Sequence, residues 1–246
     1  MANWNDPQPR PGFGVSPNLG GRTAGRADYD VGLRRHMLSI YNYMTSGVLL
    51  TGVVALLMAQ SGMTVAMMAS PLKWLVILSP LAIVFAMSFG QGRFSTGTLQ
   101  AMFWGFATLM GMSLSTIFLV YTGQSIATTF FATAAAFAGL SLFGYTTKKD
   151  LSGFGTFLIM GVVGILIAML INLFVQSTVL QMAVSILGVL IFAGLTAYDT
   201  QMLKRQYYAV AGTEFAGKAV VMGALSLYLD FINMFQFLLS FLGSRE

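Results

Sequence analysis

The chain has 246 residues, of which 56% are hydrophobic and only 9% are charged, and its formal net charge is +5. A soluble domain of this length carries about 25% charged residues, so the composition excludes an ordinary soluble protein and indicates an integral membrane protein. The absence of cysteine excludes disulfides and thiolate chemistry, and the single histidine, His36, excludes zinc sites built on paired imidazoles.

Residues 1–30 differ in composition from the rest of the chain. They contain four of the six prolines and five glycines among scattered polar residues. This composition cannot bury a core and predicts a disordered cytoplasmic tail, followed by a transmembrane domain over residues 31–246. The opening residues lack the apolar run and small-residue cleavage site of a signal peptide.

Seven hydrophobic segments follow the tail, each close to the roughly 20 residues that a helix needs to cross a bilayer. They cover residues 37–59, 74–90, 99–119, 124–145, 154–176, 179–203 and 219–242. Spans three to six are joined by short connections, which predicts antiparallel neighbours. The fold class is therefore an all-α membrane protein, a bundle of seven transmembrane helices.

The basic residues are distributed unequally between the two predicted surfaces. Lysine and arginine concentrate in cytoplasmic loops of membrane proteins, so the excess indicates orientation rather than nucleic-acid binding. Only Lys73 and Arg245 lie on one side. The other side carries Arg10, Arg22, Arg26, Arg34, Arg35, Arg93, Lys148, Lys149, Lys204, Arg205 and Lys218. This pattern predicts a cytoplasmic N-terminus and a C-terminus outside.

The last span, residues 219–242, carries an acid in its middle, Asp230. A charge at mid-bilayer costs roughly 2.5–3.5 kcal/mol even on insertion scales, so this side chain cannot face lipid. Gly223, Ser226 and Asn233 share its face at helical spacing. The face must therefore look inward, and we interpret the last helix as central, with the other helices as its walls.

A second acid, Asp199, lies near the predicted cytoplasmic end of span six. Its depth differs from that of Asp230 by roughly 5–10 Å. Two buried carboxylates close together cannot both ionise cheaply, so they should titrate as a unit. Such a pair can sense pH, relay protons, bind a cation or act as an acid–base dyad. Arg93 is the nearest candidate counter-charge, although it can equally anchor a helix end at the interface.

Two segments resemble a known family. The runs ALSLYLDFINMFQFLLSFLG (224–243) and AYDTQMLK (197–204) are similar to the prokaryotic branch of the transmembrane Bax inhibitor motif family, and the resemblance extends over residues 35–243. It implies a bundle whose last helix is wrapped by the other six, and a pH-sensitive calcium leak governed by an aspartate pair. By motif position the pair is Asp199 and Asp230, with Arg93 as a latch on Asp199. The resemblance also favours a bacterial inner membrane.

The resulting hypothesis is a gate. When the pair is protonated the helices close, and when it ionises a negative site draws Ca²⁺ inward as transported cargo, without an organic cofactor. Calcium prefers six to eight oxygens. Asp199 and Asp230 would be the acidic metal ligands, and Thr196, Ser226 and Asn233, with water and carbonyls, would line the cation pathway. Any such site should therefore be weak.

Two other functions fit parts of the sequence. Intramembrane aspartyl proteases carry the Tyr-Asp of Tyr198–Asp199, but Leu227-Tyr228-Leu229-Asp230 departs from their Gly-x-Gly-Asp. We therefore expect no enzyme. The other function is a non-catalytic regulator or partner of a membrane protease or a cell-death protein, which would act through the tail and loops.

Overall fold

The computed structural model describes the backbone of residues 19–244 and the side chains of residues 31–244. The first helix begins at Leu19, inside the range predicted as a tail. No proline occurs between Pro17 and Pro71, so nothing in the covalent chain interrupts a helix there. Four basic side chains counted above lie outside the described residues: Arg10, Arg22, Arg26 and Arg245.

The described residues form eight α-helices and one 3-10 helix. In chain order these are α1 (Leu19–Gln60), α2 (Met63–Ala69), α3 (Leu72–Gly90), α4 (Thr96–Leu114) with a 3-10 continuation (Ser115–Leu119), α5 (Gly123–Thr146), α6 (Ser152–Val175), α7 (Thr178–Val210) and α8 (Phe215–Leu242). All except α2 are long and apolar enough to cross a membrane, which confirms the seven predicted spans. The short α2 was not predicted.

Helix α8 occupies the centre of the bundle, as the sequence predicts. Half of its most apolar 18-residue stretch is buried inside the protein, the largest share among the seven spans. It packs directly on α1, α4, α5 and α7. The implied wrapping by all six helices needs correction, because α3 packs mainly on α4 and α6 on α7. The most apolar 18-residue stretch of α6 has a mean hydropathy of 2.8, and only 11% of it is buried inside the protein. Lipid therefore solvates this outer helix.

The long helices α7 and α8 form an antiparallel hairpin that carries both membrane acids. Only the short connection between Val210 and Phe215 separates them. Helix α7 also approaches α5 closely, because a Cβ atom added to Gly144 would collide with the backbone carbonyl of Ala197. This contact agrees with the small residues of the fourth span, which permit close helix packing.

Candidate functional site

The register of the α7–α8 hairpin determines which side chains face each other. Asp199 lies eleven residues before the end of α7 at Val210, and Ser226 lies eleven residues after the start of α8 at Phe215. The two are therefore level. The Ser226 hydroxyl donates a short hydrogen bond to Asp199 Oδ2, and Asp199 is only 8% exposed.

Asp230 lies one helical turn deeper along α8 than Ser226. Its side chain is 4% exposed, and its Oδ2 atom is buried without a hydrogen-bond partner. The two acids lie on α7 and α8, which pack directly on each other. Their depths differ by about 6 Å, four residues at 1.5 Å each, within the range predicted from the sequence. The structure thus brings the two acids together, with Ser226 rather than Asp230 directly bonded to Asp199.

No cation balances this pair among the described residues, where the one ion pair joins Arg205 Nη1 to Asp150 Oδ1 at 2.8 Å. Arg93 is exposed in the turn between α3 and α4, where its backbone N–H donates to Gly90. The latch from Arg93 to Asp199 is not formed in this conformation and stays a prediction.

A clamp that no sequence pattern predicts holds the C-terminal half of α7 instead. Asp150, in the α5–α6 connection, accepts hydrogen bonds from the backbone and hydroxyl of Ser152 and pairs with Arg205. These interactions lower the pKa of Asp150 to about 2. Gln201 Nε2 donates to the Lys149 carbonyl at 2.8 Å. A loop aspartate two residues before a helix offers no sequence signal for a partner 55 residues away.

Helices α7 and α5 contribute buried hydroxyl groups in the neighbourhood of Asp199. Thr196 and Thr200 are fully buried, and each hydroxyl donates to the carbonyl one turn earlier at 2.8 Å. The hydroxyl oxygens of Ser141 and Thr200 are 3.1 Å apart. With their protons committed to the backbone, the threonine oxygens remain as acceptors. Thr196 lies three residues before Asp199 on α7 and is sealed from solvent in this conformation, and its place in a cation pathway stays a prediction.

Asn233 lies apart from the Asp199–Ser226 contact, in a cavity of about 440 Å³ between α6, α7 and α8. The polar residues that line this cavity are Asn172, Gln181, Ser185, Asn233, Gln236 and Ser240. Exposing an amide group to lipid costs free energy, because lipid offers it no hydrogen bonds. We therefore interpret the cavity as hydrated. Phe192 and Phe237 also line it, and their rings stack with centroids 5.8 Å apart.

A second buried polar contact fixes the opposite side of α8. Tyr228 is fully buried, and its hydroxyl lies 2.6 Å from Thr51 Oγ1, which donates in turn to the Ala107 carbonyl at 2.8 Å. The rings of Phe103 and Phe106 pack edge-on against Tyr228. This network joins α1, α4 and α8. A tyrosine in the middle of an apolar span was its only sequence signal.

In the part of the chain that the structure describes, no site brings together three acidic or histidine side chains that could hold a metal ion. Asp199 and Asp230 could supply two carboxylates to a divalent cation, and Ser226 one further oxygen. Calcium needs six to eight. The arrangement therefore suits transient passage better than tight retention.

The chain is similar to known proteins over most of its length. A family model described as inhibitor of apoptosis-promoting Bax1 matches residues 33–246. A protein of Caulobacter vibrioides is 46% identical over 239 residues, covering 91% of this chain and 94% of the relative. The protein RP147 of Rickettsia prowazekii is 44% identical, covering 91% and 95%. The inner membrane protein YbhL of Escherichia coli is 43% identical, covering 87% and 94%.

Proposed function

This chain belongs to the family of the inhibitor of apoptosis-promoting Bax1, and on that premise we propose that it is a pH-sensitive calcium leak gated by Asp199 and Asp230. The observation that carries the proposal is Asp230, a mid-membrane acid with an unpartnered buried oxygen beside a second acid. The E. coli relative is an inner membrane protein, and we propose the same membrane for this chain.

The absence of a balancing cation near the pair, among the described residues, supports a titrating gate. Ser141, Thr196, Thr200 and Ser226 contribute only neutral hydroxyls around it. Two unit charges about 6–10 Å apart repel by about 2–3 kcal/mol at an effective dielectric constant of about 20. That repulsion is comparable to the packing free energy of a few side chains between helices. Ionisation of both acids would therefore loosen the α7–α8 packing.

The hydrated cavity gives the cation an access route from the surface predicted to lie outside. It leads from Gln181 and Ser240 inward to Asn233, which is three residues from Asp230 on α8. The Phe192–Phe237 stack lies beside this route, two helical turns from each acid along its own helix. In the closed, protonated state these rings and the buried Thr196 would block passage. In the ionised state, separation of α7 and α8 would let the cation reach the carboxylates.

Calcium flux into dye-loaded proteoliposomes between pH 5 and 8 tests the proposal. We expect wild-type flux to rise with pH, and Asp230→Asn and the double variant Asp199→Asn/Asp230→Asn to show a flat response. Asp150→Asn is the matched control, because it removes an acid that lies outside the pair.

Two outcomes would contradict the proposed calcium leak. One is a double variant that titrates like wild type. The other is absence of flux at every pH from protein shown to be folded and inserted, which would favour the partner-regulator function. In that case, deletion of residues 1–30 should impair partner binding.

A further inference from the structure

A long groove runs along the side of the bundle between α1 and α5. Its cavity measures about 710 Å³, within the usual range for small-molecule sites. The two helices flank α8 without packing extensively on each other, so Phe231 of α8 forms part of the floor. The groove therefore opens sideways, toward the lipid, through the exposed side chains of Leu38, Leu49 and Leu142, while Phe231 itself is buried.

The dimensions of the groove fit one leaflet of a bilayer. Its lining extends from Arg34 to Leu49 on α1 and from Phe130 to Tyr145 on α5. Fifteen residue steps on each helix correspond to about 22 Å. Half of a ~30 Å hydrocarbon core is about 15 Å, which leaves roughly 7 Å for the interface. A lipid acyl chain and its glycerol region would thus span the groove.

A second cavity of about 300 Å³ continues the groove toward the opposite surface. It shares Val48 and Phe130 with the first cavity, and no charged side chain lines it. The cleft is therefore apolar along its length, with charge at one end only. This asymmetry is that of a single lipid with an ionic headgroup.

The charged end consists of Arg34 with tyrosine and lysine neighbours. Arg34 and Tyr145 line the groove, and Lys204 Nζ donates to the Tyr145 carbonyl at 2.8 Å and lies 4.9 Å from its ring centroid. Within residues 31–244, Arg34 forms no ion pair. A guanidinium matches phosphate through paired N–H donors, and tyrosine favours the membrane interface.

We propose that an anionic glycerophospholipid occupies this groove, with its phosphate at Arg34 and its acyl chain over Phe137 and Phe231. A second copy of the chain is a poorer occupant. Of the described acids, Asp199 and Asp230 are buried and Asp150 is paired with Arg205, so Glu214 alone remains to meet Arg34. The lipid site does not depend on the calcium leak.

Native mass spectrometry of the purified full-length chain tests the site, with phosphatidylglycerol and phosphatidylcholine supplied in equal amounts. Wild type should retain phosphatidylglycerol preferentially. Arg34→Ala should lower that preference roughly tenfold, as expected for loss of a charge-assisted contact. The matched control is Arg35→Ala, which removes an adjacent, exposed arginine that does not line the groove.

Filling the groove provides an independent variant. Ala138 lines the groove, whereas Ala135 is exposed on the same helix outside it. Ala138→Trp should abolish phosphatidylglycerol retention, and Ala135→Trp should leave it unchanged. Equal losses in Arg34→Ala and Arg35→Ala would overturn the site in favour of diffuse charge attraction. A lipid-free dimer that Ala138→Trp converts to monomer would overturn it in favour of a second copy.

Discussion

Asp150 differs from the two membrane acids because it is paired with a cation, Arg205. Its pKa is about 2, below the ordinary value of 3.8, because Ser152 and Arg205 donate hydrogen bonds to the carboxylate. A group whose folded pKa is lowered stabilises the folded protein above its unfolded pKa and loses that contribution as pH falls. The Asp150–Arg205 pair should therefore contribute its full stabilisation above about pH 5 and should lose most of it as the pH falls to about 2.

Asp150→Asn tests this pH window. The midpoint of thermal unfolding in detergent, measured from pH 2 to 7, should be lower in the variant by a constant amount from pH 5 to 7. The difference should shrink below pH 4 and should be small at pH 2. A difference that changes between pH 5 and 7 would contradict the assigned pKa. Any pH response of ion flux in that range should be the same in the variant and in wild type.

Tyr228 and Thr51 allow a prediction about the direction of a buried hydrogen bond. Thr51 donates to the Ala107 carbonyl, so the Tyr228 hydroxyl must donate to Thr51. Tyr228→Phe removes that donor and leaves nothing unsatisfied, at a cost of about 0.5–1.5 kcal/mol. Thr51→Val removes the acceptor and strands a buried hydroxyl, at a cost of about 1–3 kcal/mol.

Unfolding of the single and double variants distinguishes the two directions. Thr51→Val should destabilise more than Tyr228→Phe. The double variant should be less destabilised than the sum of the two, because the stranded hydroxyl is absent from it. Additive effects, or a larger cost for Tyr228→Phe, would mean that the hydrogen bond runs the other way.

At the scale of helices, the contact between α5 and α7 depends on a missing side chain. A Cβ at Gly144 would collide with the Ala197 carbonyl, two residues before Asp199, whereas a Cβ at Gly139 meets nothing within 4 Å. Gly144→Ala should therefore destabilise the protein by about 1–3 kcal/mol through overpacking, while Gly139→Ala should be tolerated. Thermal unfolding of both variants in the same detergent is the measurement. Equal tolerance of the two alanines would show that α5 and α7 are less closely packed.

The same hairpin shows how far sequence could predict the site. The lengths of the hydrophobic spans predicted that Asp199 and Asp230 lie inside the membrane and at what approximate depths. The cost of a charge in lipid predicted that Asp230 faces inward. The pairing of Asp199 with Ser226 was not predictable, because it depends on where α7 ends. The apolar pattern fades at Lys204, whereas the helix continues through Tyr207 to Val210, where polar and aromatic side chains suit the interface.

The whole bundle places features together that no local pattern connects. The α1–α5 groove lies between helices about 90 residues apart in sequence, and the Asp150–Arg205 clamp joins the α5–α6 connection to α7. Composition and hydropathy determine how many helices cross the membrane, because lipid acts on each helix separately. Which helices touch is decided by small residues and buried polar groups, and these depend on the partner helix.

Orientation is a property of the whole molecule and gives the last prediction. Eight described basic side chains lie at one end of the bundle (Arg34, Arg35, Arg93, Lys148, Lys149, Lys204, Arg205 and Lys218), and one, Lys73, lies at the other. The positive-inside rule therefore predicts that the end with eight faces the cytoplasm. The chain has no cysteine, so a single introduced cysteine reports on its own position alone.

Ser61 lies in the exposed turn between α1 and α2, and Gly92 lies in the exposed turn between α3 and α4, at the opposite end of the bundle. Replacing either residue by cysteine removes no charge. In intact cells a membrane-impermeant maleimide should label Ser61→Cys and spare Gly92→Cys until the inner membrane is permeabilised. The reverse pattern would show that the basic end faces outward, against the charge distribution. Equal labelling of both cysteines in intact cells would mean that α3, whose mean hydropathy is 2.0, does not cross the membrane.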